Sequence, residues 1–111
     1  MREPTFLILT ALAAGPLHGY GVIQEVAALS DGRVTLQAGT LYAALDRLVA
    51  EGLVAPHREE IVEGRHRRYY RLTGGGVAAL NADMARQRSN VAAAARRLRA
   101  RQAPSGTVRP A

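Results

Sequence analysis

Val77, Met84, Val91 and Leu98 stand seven residues apart, with Leu80, Gln87, Ala94 and Arg101 accompanying them. A sustained seven-residue apolar repeat marks a helix that buries one seam against another helix. Here the seam weakens toward its end, where Gln87 and Arg101 take seam positions. Run from residue 74 to about 101, the helix would be on the order of 40 Å long at ~1.5 Å per residue. One domain of a 111-residue chain cannot cover such a stripe alone. It packs on the chain's own first helix, or it crosses a second copy and that first helix together. A homodimer is the expectation, with Val77, Leu80, Met84, Val91 and Leu98 on its seam. Thr73 is a good N-cap, but Gly74, Gly75 and Gly76 make a poor first turn and predict fraying.

The seam divides the chain. Residues 1–73 read as one domain, 74–102 as the dimerisation helix, and 103–111 as a tail. In that tail Pro104, Ser105, Gly106 and Pro110 predict disorder.

Charge is as unevenly placed. The formal net charge is +6, all of its cations Arg. Residues 1–73 carry eight Arg and eight Asp or Glu, so the whole excess lies in residues 74–111. There it reads as a solvated helix face followed by a basic tail, with Arg96, Arg97, Arg99 and Arg101 favourable at a helix C-terminus. There is no Cys, which excludes disulfides and thiolate metal sites. No leader pattern and no membrane-length apolar run stand in the chain, so a cytoplasmic protein away from membranes is expected.

Within residues 1–73 the pattern is helix, turn, helix, helix, hairpin. Residues 5–14 are apolar nearly all round, with Phe6, Leu9 and Leu12 at helical spacing and Ile8 flanking. Such a helix is buried, or buries its outer face against a second chain. Gly15-Pro16 ends it. Residues 18–29 form a second helix with Tyr20, Ile23, Val26 and Ala27 as its inner stripe. Ser30-Asp31-Gly32 is a turn. Residues 37–51 form a third, anchored by Leu41, Leu45, Leu48 and Val49, with Gly52 as its αL cap. Residues 53–62 and 66–73 read as strands around a Glu63-Gly64-Arg65 turn. Tyr70 and Leu72 belong to the core face. The fold class is therefore α+β, mainly α: a winged helix-turn-helix with a long C-terminal helix.

The third helix starts with small or polar outer residues, so it can lie deep in a major groove. Gln37 offers an amide to an adenine edge. Ala38, Gly39 and Ala43 allow close approach, and a methyl can touch thymine. Thr40, Tyr42 and Arg47 lie on the same outer surface. The hairpin adds Arg65, His66, Arg67, Arg68 and Arg71 with no acid among them, suited to phosphates or a minor groove. Tyr20 and Tyr42 each stand between core packing and phosphate contact. Tyr69 is an outward residue open to DNA. Glu59, Glu60 and Glu63 pair with Arg58 or keep part of the hairpin off DNA.

Four stretches resemble the PadR family of bacterial transcriptional regulators. They are Gly15-Pro16-Leu17-His18-Gly19-Tyr20; Gly39 to Leu45 with Arg47-Leu48; Glu51-Gly52-Leu53-Val54; and Arg68 to Thr73 with Gly76 and Leu80. The single C-terminal helix is similar to the smaller subfamily. The resemblance implies a homodimer on a two-half-site operator in double-stranded DNA, usually as a repressor. It also implies release by small aromatic or amphipathic effectors. His18, inside the first matched stretch, reads as a helix cap or packing residue and is carried among the DNA-binding candidates. Two departures stand out. Gln37 occupies a helix start where Ser is common, and the chain has no Trp with which to stack a ligand. Geometry suggests an effector space between the first and fourth helices of two copies, lined by Phe6, Leu9, Met84 and Val91. The triple Gly is either a signalling joint or simple surface tolerance.

Against this stand two other classes. An enzyme would need a phosphate loop, a nucleophile with its base, or paired carboxylates, and none can be assembled. His18, His57 and His66 share no metal-binding spacing, so neither metal nor cofactor is expected. A winged helix used for protein contact or ligand carriage, without DNA, is the remaining alternative.

Overall fold

The computed structural model describes residues 1–102. The expected tail at 103–111 lies outside the described residues. In chain order the elements are α1 (Glu3–Ala13), β1 (Leu17–His18), α2 (Gly19–Leu29), α3 (Ala38–Ala50), β2 (Val54–Val62), β3 (Arg65–Leu72) and α4 (Gly74–Arg101). That is the expected winged order, with one addition. The short β1 pairs with β3, Leu17 opposite Tyr70 and His18 opposite Tyr69, giving a sheet ordered β1-β3-β2.

α1 starts two residues earlier than the spacing predicts, because Pro4 fits the first helical turn. Ile8, Leu9, Ala11 and Leu12 are buried. α2, α4 and β3 all pack on this helix, so its all-round apolarity is consumed mostly within the protomer. Leu9 is 0% exposed. It is a core residue, and its expected place on a dimer or effector face is corrected.

The inner stripe of α2 is Gly19, Val22 and Val26, with Ile23 half-buried. Tyr20 is 63% exposed, against its expected inner position. The reason is Gly19. A Cβ there would collide with the Tyr42 ring, so α3 reaches α2 across a bare backbone that apolar spacing does not register.

α3 is held by fully buried Leu41, Leu45 and Leu48. It ends in a Schellman motif: Leu53 N–H donates to the Leu48 carbonyl and Gly52 N–H to that of Val49, each at 3.0 Å. Gly52 takes φ +77°, as its αL cap requires. The hairpin turn has two residues, Glu63 and Gly64, with φ of 52° and 76°. Two consecutive positive φ values match the strand twist. Arg65 therefore belongs to β3, opposite Val62, rather than to the turn. A register shift between Pro56 and Arg58 leaves His57 bulged, where a strand proline is tolerated. Tyr70 is buried at 2% exposure and Leu72 joins the core, on the face expected for both.

α4 does not begin with a frayed turn. Thr73 Oγ1 accepts from Gly76 N–H at 3.0 Å and donates to the Gly52 carbonyl at 2.7 Å. Gly76 is buried, and a Cβ on it would collide with the Leu53 carbonyl oxygen and with Leu72. The glycines let the helix start against the α3–β2 joint. Leu80 and Asp83 are buried below it and Met84 is half-buried. Beyond Met84 the described helix is exposed, apart from half-buried Ala95. On the expected seam, Val77, Val91 and Leu98 are open while Leu80 belongs to the protomer core.

Candidate nucleic-acid interface

Three segments distant in sequence meet on one face. The start of α2 brings His18 and Tyr20, the outer face of α3 brings Tyr42, and β3 brings Arg65, His66, Arg67 and Arg68. Together they line an open groove of about 440 Å³. Gln37, Ala38, Gly39 and Thr40 are exposed at the start of the helix that carries Tyr42. Ala38 and Tyr42 are four residues apart, hence on one helix face. Gln37 is the N-cap by backbone geometry, but its side chain makes no cap hydrogen bond, so the amide stays available. The first N–H groups of an α-helix have no partner within it.

The wing is stiffened from one side. Tyr69 Oη donates to Glu60 at 2.7 Å, the Arg58 guanidinium lies 4.3 Å from the Tyr69 ring centroid, and the His18 ring is 5.3 Å away on β1. Arg58 also approaches Glu60 at 3.8 Å. Tyr69 is thus half-buried and engaged internally rather than open to DNA, and Glu60 is the partner expected for Arg58. His18 caps α2 through its backbone only; the ring packs, and its buried Nδ1 has no hydrogen-bond partner among the described residues. Arg68 Nε lies 3.4 Å from Glu59. Its guanidinium is held above its ordinary pKa, first by the Tyr70 hydroxyl and then by Glu59. Arg65, Arg67 and Arg71 form no ion pair among the described residues.

Arg47 is the exception among the expected DNA contacts. It turns toward α1, donating to Thr5 Oγ1 at 3.2 Å and pairing with Glu51 at 3.5 Å. It lines a separate hollow with Thr5 and Leu48. Arg47 follows Tyr42 by five residues, which at 3.6 residues per turn rotates it roughly 140° away around the helix.

Asp83 escaped the sequence reading. It is buried on α4 and accepts from Arg86 at 2.7 Å, Gln87 at 2.7 Å and the Met1 ammonium at 3.1 Å. Arg86 first, then Gln87, push its carboxyl down to about 2. The one available signal was its being the sole acid after residue 73. Among the described residues no group of His, Asp and Glu is arranged to hold a metal ion, and no helix is long and apolar enough to cross a membrane.

A three-helix core, a two-stranded hairpin wing and an exposed helix start beside it define a winged helix-turn-helix protein. Residues 8–82 match the Transcriptional regulator PadR-like family. Transcriptional regulator Rv3488 of Mycobacterium tuberculosis is 42% identical over 76 residues, covering 68% of this chain and 67% of that protein. Among solved structures, a PadR family transcription regulator of Clostridium difficile superposes with TM-score 0.72 at 23% identity, over 87% of this chain and 99% of that one. Bacillus subtilis PadR, solved in complex with operator DNA, gives TM-score 0.66 at 25% identity, over 76% of this chain and 48% of that one. The chain belongs to the PadR-like family of transcriptional regulators. It is a regulator of transcription and not an enzyme.

Proposed function

We propose that this regulator binds operator DNA in the cytoplasm as a homodimer, one winged domain (residues 1–73) per half-site, and represses until a small aromatic or amphipathic effector releases it. The observation that carries the reading is the shared groove: α3 and the cationic hairpin face the same way although some twenty residues separate them. In this reading α3 enters the major groove with Gln37, Ala38, Gly39, Thr40 and Tyr42 toward the bases. Arg65, Arg67 and Arg68 hold phosphates or the minor groove, with Tyr20, His18 and His66 between. That the Bacillus subtilis relative was solved on operator DNA supports DNA as the partner.

The dimer reading rests on α4, where Val77 before half-buried Met84, and Val91 and Leu98 beyond it, form an exposed apolar line. An effector space would need both copies, with Phe6, Met84 and Val91 as its lining once Leu9 is removed to the core. Footprinting on the DNA upstream of the gene, with and without aromatic ligands, tests the whole. Several phosphate contacts make affinity fall by roughly tenfold or more for a fourfold rise in salt. Binding that ignores salt would sink the reading.

A further inference from the structure

The wing is less cationic than its β3 sequence suggests. Across the hairpin Glu59 stands opposite Arg68 and Glu60 opposite Arg67. The two glutamates do different things. Glu60 is turned to Tyr69 and Arg58, where it fixes the hairpin. Glu59 faces Arg68, and with Tyr42, His66 and Arg68 it lines a hollow adjoining the groove. A phosphate reaching Arg68 therefore also meets the Glu59 carboxylate.

We propose that Glu59 is a built-in competitor for the DNA phosphate that Arg68 holds, and so sets the affinity of the wing. This rests on the DNA-binding reading above. The pair is made to exchange. Both side chains are 58% exposed, and Arg68 approaches Glu59 through Nε at 3.4 Å, a long contact at the open surface. An exposed ion pair of this kind is weak. On binding, Arg68 trades one anion for another and Glu59 is left bare beside the DNA backbone. A bare carboxylate recruits a cation, which cancels the counterion released from the phosphate. The contact then adds little to affinity and little to salt dependence. Because phosphates carry no sequence information, the attenuation falls equally on operator and random DNA.

The test is Glu59→Gln, which keeps shape and removes charge. Binding to operator and to random duplex should tighten by about two- to fivefold, the scale of an exposed ion pair. The log–log salt slope should steepen by roughly 0.9, one more phosphate neutralised without compensation. In an Arg68→Ala background the same change should gain little. Glu25→Gln, which removes a carboxylate outside the groove, should gain little as well. An unchanged slope in Glu59→Gln, an equal gain without Arg68, or an equal gain from Glu25→Gln would each overturn the proposal. If the unaltered protein fails to bind any duplex at low salt, the DNA reading falls instead, and the two failures are distinguishable.

Discussion

The winged domain and the outer half of α4 solve opposite problems. The domain is neutral overall, buries its main apolar residues within the protomer with Leu80 of α4 completing the core, and concentrates a few cations on one edge. The outer half of α4 holds most of the excess charge, yet it buries almost nothing and leaves Val91 and Leu98 open at 68% and 58% exposure. Net charge alone would point a nucleic acid at the wrong end. Local arrangement points to the wing, because exposed charges act over about 10 Å at ordinary salt. The boundary between the regions is sharp. Gly76, Leu80, Asp83 and half-buried Met84 are seated on the domain, and beyond them the described helix is exposed apart from Ala95.

The largest effect should come from breaking the open half. Val91→Asp places a charge on the proposed seam at a site that the protomer does not bury. It should give monomers in sedimentation with an unchanged helical spectrum, and operator affinity should fall by about a hundredfold as the two half-sites are uncoupled. A dimer surviving this change would mean that α4 is not the seam. Met84→Asp is the less clean version, since half-buried Met84 also packs on the domain core.

Next comes the joint. Gly76→Val should destabilise the domain by about 2 kcal/mol or more, since the added atoms meet the fixed Leu53 carbonyl as well as the Leu72 side chain. Gly74→Ala should go the other way by roughly 0.5 kcal/mol, because nothing lies near its Cβ position and alanine favours the helix. Urea midpoints read both. Equal effects from the two would contradict the close approach of α4 to the α3–β2 joint.

On the DNA face, Arg67→Ala should weaken operator and random duplex alike by roughly fivefold and flatten the salt slope by about one unit. Arg47→Ala should leave binding near its starting value, because Thr5 and Glu51 hold Arg47 beside α1. A loss from Arg47→Ala as large as that from Arg67→Ala would restore it to the interface.

The elements that repeat a period were legible from residues alone. The α3 leucines, the Gly52 cap, the hairpin and the 28-residue α4 all follow from spacing and turn chemistry. What stayed hidden depends on contacts between distant segments. β1 is two residues long and exists because β3 pairs with it. Tyr20 was misplaced because a glycine made the real contact with Tyr42. The triple glycine suggested looseness, where close backbone approach was the constraint. The winged order already put Tyr42 and the hairpin on one DNA face and left Tyr20 between core and phosphate, but their meeting with His18 in one groove depends on tertiary contacts that no local pattern encodes.

Asp83 gives the smallest effect and tests where the two regions meet. Its carboxyl is depressed from an ordinary 3.8 to about 2, chiefly by Arg86 and Gln87. A depressed pKa means that the folded state prefers the ionised form. The stability so gained is complete above the unfolded value and is lost as pH falls from about 3.8 through about 2. Asp83→Asn should therefore lower the urea midpoint at pH 7, and its gap to the unaltered protein should narrow across that acid window. Both partners with the strongest pull lie on α4 itself, one turn further out. The Met1 ammonium is the one that ties the carboxylate to the start of α1. If the gap at pH 3 equals that at pH 7, the ionised carboxylate is not what seats α4. Gly76 and Leu80 would then hold the joint by packing alone.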